Sequence, residues 1–372
     1  MTITIYNASW STFGGGEKYI CTIAQDLSRI AKAKVTLLID KPGITADQLQ
    51  QYFNLRLEQV ELKHIGRGQH VEELRRSDLA VIVSNFRSFG TPGRRTVYIL
   101  QIPYGPITPY TVARKLLKGS IKESAKDLYR LSLLRNAGRG EAVLVYSEFV
   151  RKVLEQNHGI RAEVLYPAID DFALDVPKEH AILSVGRFFT GLYNDKRYDI
   201  LIEGFKKLCA RLPNLSWQYW LAGSCGTDAR SQRYLADLRE AATGFPVYFH
   251  VNCAYAELRR LYNQSTIFWH ATGYGIDEAR YPERMEHFGM STVEAMSASS
   301  VPVVINKGGQ KEIVSHGESG YLWDTLEDLV EYTVTLIEDR DLLARTRQRA
   351  RDRFAEFDHE HFTLRLRSLI PV

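Results

Sequence analysis

Short runs of β-branched and other apolar residues recur along the chain, separated by longer stretches whose apolar positions return every three or four residues. The first pattern marks strands buried on both faces, and the second marks helices with one apolar stripe. Their alternation predicts an α/β fold in which a parallel sheet is covered by helices. In the first half the runs predict strands at 2–6, 34–39, 79–84, 96–101 and 142–146. The alternation then restarts, with strands predicted at 181–185, 217–222, 246–250, 266–270 and 302–305, which implies a second sheet. Between the two lies Leu165-Tyr-Pro-Ala-Ile-Asp-Asp171, followed by polar residues as far as Glu179. A proline that holds its predecessor extended, beside two acids, suits a connector. The boundary is therefore placed near Ile169, giving domains 1–169 and 170–356. The segment 357–372 predicts a last helix with an apolar stripe, which needs a surface to pack against.

Composition narrows the class. A chain of 372 residues suits two domains, and 45% hydrophobic with 25% charged residues excludes a largely disordered chain. Cys21, Cys209, Cys225 and Cys253 are too scattered for a zinc knot or disulfide scaffold, which fits a reducing, cytoplasmic setting. No apolar run is long enough to span a bilayer, and the N-terminus opens as a strand instead of a signal sequence. A net charge of +4 is too small to argue for a nucleic-acid partner.

One segment departs from that even balance. Between Pro109 and Gly140 eight cations (Arg114, Lys115, Lys118, Lys122, Lys126, Arg130, Arg135, Arg139) face only Glu123 and Asp127, interleaved with leucines and isoleucine. Such a segment suits an ordinary helix packed on the core. It equally suits a face that adheres to anionic lipid, peripherally at the inner face of a membrane, or gathers an acidic acceptor. Both readings stay open at this stage.

Three constellations carry candidate chemistry. The first strand runs into Ser11-Thr-Phe-Gly14-Gly15-Gly16-Glu17 and then a helix pattern to Ile30. Glycines in such a turn let backbone N–H groups approach a ligand, and the helix start favours an anion, although a tight turn alone explains the same residues. The first strand of the second half leads to Gly186-Arg187-Phe188-Phe189 and Asn194-Asp195-Lys196-Arg197. A guanidinium fork and an ammonium on one loop suit the charge that develops on a departing diphosphate, as against a merely solvated basic loop. The third is Glu286-His-Phe-Gly-Met-Ser-Thr-Val-Glu294. There Gly289 permits close backbone approach, free N–H groups at the following helix start can receive phosphate oxygens, and Glu294 can accept bonds from ribose hydroxyls. Phe288-Gly289 fixes the register, because Glu278, Glu286 and Glu294 are evenly spaced.

In Gly14-Gly15-x-Glu17, Gly186-Arg187 with Lys196, Glu286-x7-Glu294 and Gly308-Gly309-x-x-Glu312, the chain resembles the retaining glycosyltransferases of family 4, group 1 type, over nearly its whole length. The resemblance implies the GT-B fold: two Rossmann-like domains facing a cleft, with the last helix crossing back to the N-terminal one. It implies a nucleoside-diphosphate sugar, GDP-mannose or a UDP-sugar, as co-substrate, and a glycan, lipid-linked or small-molecule acceptor. No cofactor and no metal are expected. By the same resemblance Arg187 and Lys196 hold the diphosphate, helped by Gly186 and by backbone around Phe288, Gly289, Met290 and Ser291, while Glu294 binds the ribose. Glu286 lies beside the transferred sugar, and Gly14 and Gly15 close the phosphate side from the other domain. The catalytic set is thus Glu286, Arg187 and Lys196.

The chain also departs from the family pattern. Many relatives carry a histidine where Gln101 stands, and Ala271 to Pro282 is a longer loop than usual, read as covering the donor. His270 stands at a strand end, where a structural role is the plainer expectation, and Asp339-Arg340-Asp341 reads as a solvated turn instead of a metal motif. A sugar-nucleotide epimerase or phosphorylase of the same fold, and a non-catalytic nucleotide-sugar-binding protein, are the alternatives.

Overall fold

The computed structural model describes residues 1–7, 10, 14–30, 33–66, 68–85, 89–191 and 195–370. Ser11, Thr12 and Phe13 of the first glycine turn and Asn194 of the basic loop lie outside the described residues. The chain divides into two units, residues 1–168 with 360–372, and residues 169–359.

The first unit is a seven-stranded sheet of β1 (Thr2–Asn7), β2 (Lys34–Ile39), β3 (Val60–His64), β4 (Leu79–Val83), β5 (Arg95–Leu100), β6 (Ala142–Val145) and β7 (Glu163–Val164). Their order is β3-β2-β1-β4-β5-β6-β7, and every pairing is parallel. Every residue of β4 is buried, as a strand covered on both faces requires. Its core joins Ile3, Ile5, Leu37 and Val81 to Ile20, Ile23 and Leu27 of the helix Gly15–Ile30.

Phe362, Leu366 and Ile370 complete that core from the last helix, His359–Leu369. Thr363 donates to Asp26 at 2.5 Å, and Arg365 pairs with Glu163 at 2.8 Å, so the helix is fixed by polar as well as apolar contacts. The sequence reading starts this segment at Phe357. The structure instead keeps Phe357 in the second unit, where its ring meets that of Phe288 edge-on at 5.6 Å.

The second unit is a six-stranded sheet of β8 (Ala181–Val185), β9 (Gln218–Gly223), β10 (Val247–Val251), β11 (Ile267–His270), β12 (Val301–Ile305) and β13 (Tyr321–Trp323). The order is β10-β9-β8-β11-β12-β13, again with every pairing parallel. Ile182, Tyr219, Trp269 and Val303 pack with Phe205 and Leu208 on one helix and Leu329 and Val334 on another. Each sheet therefore has a Rossmann-like order. In the second unit the chain direction across the sheet reverses between β8 and β11, the place where ligands settle in open α/β sheets.

Candidate functional site

The loops leaving β8 and β11, side by side at that reversal, carry the charged residues expected from the sequence. β8 ends at Val185 and passes directly into Gly186. A Cβ on Gly186 would stand 2.8 Å from Lys196 Cγ, so the missing side chain gives the lysine stem a seat. Lys196 precedes Arg197, whose φ of 52° turns the chain into the helix Tyr198–Arg211.

From that seat the Lys196 ammonium reaches Glu286 Oε2 at 2.5 Å, and His270 Nε2, at the end of β11, meets the same oxygen at 3.0 Å. Only 15% of the lysine side chain and 13% of the glutamate side chain are exposed. Burial alone would raise the Glu286 carboxyl, but the Lys196 charge and the His270 hydrogen bond outweigh it and hold the group well below the usual carboxylate range. Burial, reinforced by the Lys196 charge, pushes His270 below the usual histidine value against the pull of Glu286. The imidazole is therefore neutral, with its Nε2–H donated to the carboxylate, and its buried Nδ1 makes no hydrogen bond among the described residues.

That assignment has a measurable consequence. A histidine depressed on folding contributes stability that is present above its unfolded value of about 6.5 and is lost as the pH falls through its folded value. His270→Gln keeps an amide donor and removes the titration. The wild-type melting temperature should fall more steeply than that of the variant from about pH 6.5 downward. Parallel curves would show that His270 is not held neutral.

Glu294 lies on the helix Met290–Ser297, which opens at Gly289 with φ 124°. Thr292 and Val293 donate back to the Gly289 carbonyl, leaving the amides of Met290 and Ser291 at the helix start without an intrahelical acceptor. One Glu294 oxygen accepts from the buried Tyr262 hydroxyl at 2.7 Å. A carboxylate offers roughly four acceptor positions, so this bond aims the group without exhausting it.

Other expected residues have different places. The Arg187 guanidinium is exposed, lies 4.8 Å over the Phe189 ring, and makes no ion pair among the described residues. Phe288, grouped with the donor-binding residues in the sequence through its backbone, has its side chain in the packing of the unit. It is 2% exposed, and its ring meets that of Phe357. Gly308 and Gly309 serve a backbone approach: the Gly309 amide donates to Glu286 O at 2.8 Å, and a Cβ on Gly309 would stand 2.5 Å from Phe288 O.

In the first unit, Gly14 caps the helix Gly15–Ile30, and its amide donates to Glu17 at 2.9 Å. Glu17 is thereby committed to the helix start, while Gly15 keeps its backbone exposed. Gln101 is held by Asn85 at 2.9 Å, and its amide group stands 3.4 Å from where a Gly16 Cβ would lie.

The long loop after His270 is tied on both sides. Glu278 accepts from the Gly308 amide at 2.7 Å and from Lys311 at 2.6 Å, while Arg197 donates to Tyr274 O at 2.9 Å. Asp339 caps the helix Arg340–Phe354 by accepting from Leu342 N at 2.8 Å, which is a structural use of the Asp-Arg-Asp sequence. The membership of His270 and the Tyr262 support of Glu294 were not assigned from the sequence. The first had a signal in its strand-end position, and the second had none.

With this geometry in place, the comparisons with known proteins are specific. Residues 169–353, nearly all of the second unit, match the model of the family described as glycosyl transferases group 1. A Xenopus tropicalis protein named GDP-Man:Man(3)GlcNAc(2)-PP-Dol alpha-1,2-mannosyltransferase is 29% identical over 221 residues, 54% of this chain and 42% of its own length. The chain thus spans less than half of the curated relative it matches. Among solved structures, the Anabaena protein HepE in complex with UDP superposes with a TM-score of 0.69 at 18% identity, covering 99% of each chain. A glycosyltransferase from Rickettsia africae does so with a TM-score of 0.69 at 15% identity, covering 99% of this chain and 98% of that one. These likenesses establish the GT-B fold.

Proposed function

We propose that the protein transfers a hexose from a nucleoside-diphosphate sugar to an acceptor hydroxyl with retention of configuration, without a metal ion. The observation that carries this reading is the Lys196–Glu286–His270 cluster, which joins the loops after β8 and β11 at the reversal point of the second unit, where the group 1 family model matches. In this scheme the bond between the anomeric carbon and the β-phosphate oxygen breaks, and the acceptor oxygen attacks on the same face. Its proton passes to the departing phosphate. The diphosphate charge is met by Lys196, which has three donors and engages Glu286 with one, by the unpaired Arg187, and by the helix start at Met290 and Ser291. Glu294 receives the ribose hydroxyls. Glu286, fixed as an anion, orients the hexose hydroxyls and steadies positive charge at the anomeric carbon.

The nucleotide base is the open choice between guanine and uracil: the Xenopus relative is named for GDP-mannose, and the Anabaena structure holds UDP. A nucleoside diphosphate that binds only the folded chain should stabilise it by ~2.7 kcal/mol at about one hundred times its Kd. Thermal-shift titration with UDP, GDP and ADP should select one of the first two, and Lys196→Ala and Glu294→Ala should each lose most of the shift. No response to any of the three, or full response in both variants, would overturn the assignment.

A further inference from the structure

We infer that the helical hairpin 109–137 docks this protein on an anionic lipid surface. The helices Pro109–Leu117 and Ile121–Ala137 are turned inside out at their tip. On the first half of the second helix, the residues facing inward are polar: Ser124, Asp127 and Arg130 are buried. Those facing outward include a stripe of large apolar side chains beside the charged Lys122, Glu123 and Lys126. Ile121 is 69% exposed, Leu128 57% and Tyr129 66%, and Leu117 at the end of the first helix is 89% exposed.

The rotation that presents this stripe is locked. Asp127, with 2% of its side chain exposed, is held by Lys115 at 2.5 Å and by Arg130 at 2.9 Å. The Arg130 guanidinium also lies 5.1 Å over the Tyr104 ring. Turning Leu128 inward would expel a buried ion pair from its partners, so the apolar stripe stays outward and needs an apolar partner.

Charge says which partner. Glu123 and Asp127 are both taken by cations, whereas Arg114, Lys118, Lys122 and Arg135 make no ion pair among the described residues. At about 100° per residue, Lys122 and Arg135 fall on opposite flanks of the Ile121–Leu128–Tyr129 stripe. An apolar stripe flanked by free cations fits the boundary between acyl chains and acidic headgroups, with the lysine and arginine stems extended to the charged layer. Neither helix is long and apolar enough to cross a membrane, so the hairpin lies on the surface. This surface is independent of the donor reading.

The test is co-sedimentation of the full chain with vesicles of phosphatidylcholine alone or mixed with phosphatidylglycerol. Binding is expected only with the anionic lipid and should weaken as salt rises. Leu117→Glu with Leu128→Glu, and separately Lys118→Glu with Lys122→Glu, should each lower partitioning about tenfold or more, with unchanged melting temperatures because all four side chains are exposed. Absence of binding to the anionic vesicles would overturn the proposal. So would a self-association of the wild type that Leu117→Glu abolishes while vesicle binding is nil, since the patch would then join copies of the chain.

Discussion

Glu286→Gln should lower turnover about 10²- to 10³-fold while nucleoside-diphosphate affinity stays within a few-fold of wild type or improves. The substitution keeps the size of the side chain and removes its charge. In the structure that charge is shared between the Lys196 ammonium at 2.5 Å and His270 Nε2 at 3.0 Å. Without it Lys196 is relieved of its anion and is a better partner for phosphate oxygens, so ground-state binding should not suffer. On the function proposed above, what disappears is the fixed negative charge that would lie beside the hexose and act when positive charge develops at the anomeric carbon. The signature is a fall in kcat with little change in KM.

Folding should report the same change separately. One partner of a mostly buried pair is left uncompensated, at a cost of up to about 3 kcal/mol. The Glu286 contribution is complete above the ordinary carboxylate pKa and is lost as the pH falls through its depressed folded value, so the variant and wild type should converge in acid. Turnover of Glu286→Gln within a few-fold of wild type would remove Glu286 from the reaction, whatever its effect on melting.

The sequence exposed the interior strands of both sheets and the edge strand β10 but missed the other three edges, for a physical reason. The three strands absent from the sequence reading, β3, β7 and β13, all stand at sheet edges. An interior parallel strand is buried on both faces and reads as an unbroken apolar run, as Leu79-Ala-Val-Ile-Val83 does. β3 is Val-Glu-Leu-Lys-His with only Val60 buried, β7 is two residues long and β13 three, so none makes such a run.

The site divides along similar lines. Lys196 and Glu286 were legible as residue types, but the ion pair between them spans 90 positions and is set by the adjacency of β8 and β11. Glu17 was legible only as part of a motif, and its bond to the Gly14 amide shows the motif acting as a helix cap. The basic hairpin was legible as amphipathic. Which face points outward was not, because the buried grip of Lys115 and Arg130 on Asp127 decides the rotation.

The glycine pair after β12 gives the sharpest test of how backbone positions the chemistry. Gly309 has φ −68° and ψ −13°, a conformation open to any residue, so Gly309→Ala carries no backbone penalty of its own. Its new Cβ would nevertheless stand 2.5 Å from Phe288 O and 2.6 Å from Phe288 Cα. Both are backbone atoms, so no rotamer relieves the clash, and the Glu286–Phe288 segment must move away. That movement breaks the Gly309 N–H bond to Glu286 O and draws the carboxylate off Lys196 and His270. Gly309→Ala should therefore reproduce much of the kinetic defect of Glu286→Gln, with a stability loss of roughly 1–3 kcal/mol. Gly317→Ala is the matched control: at φ 77° with nothing within 4 Å, it should cost about 1 kcal/mol of backbone strain and leave turnover alone. If the two variants lose stability alike and both keep wild-type turnover, the close approach at Gly309 is a matter of packing only, and the placement of Glu286 must come from its side-chain partners.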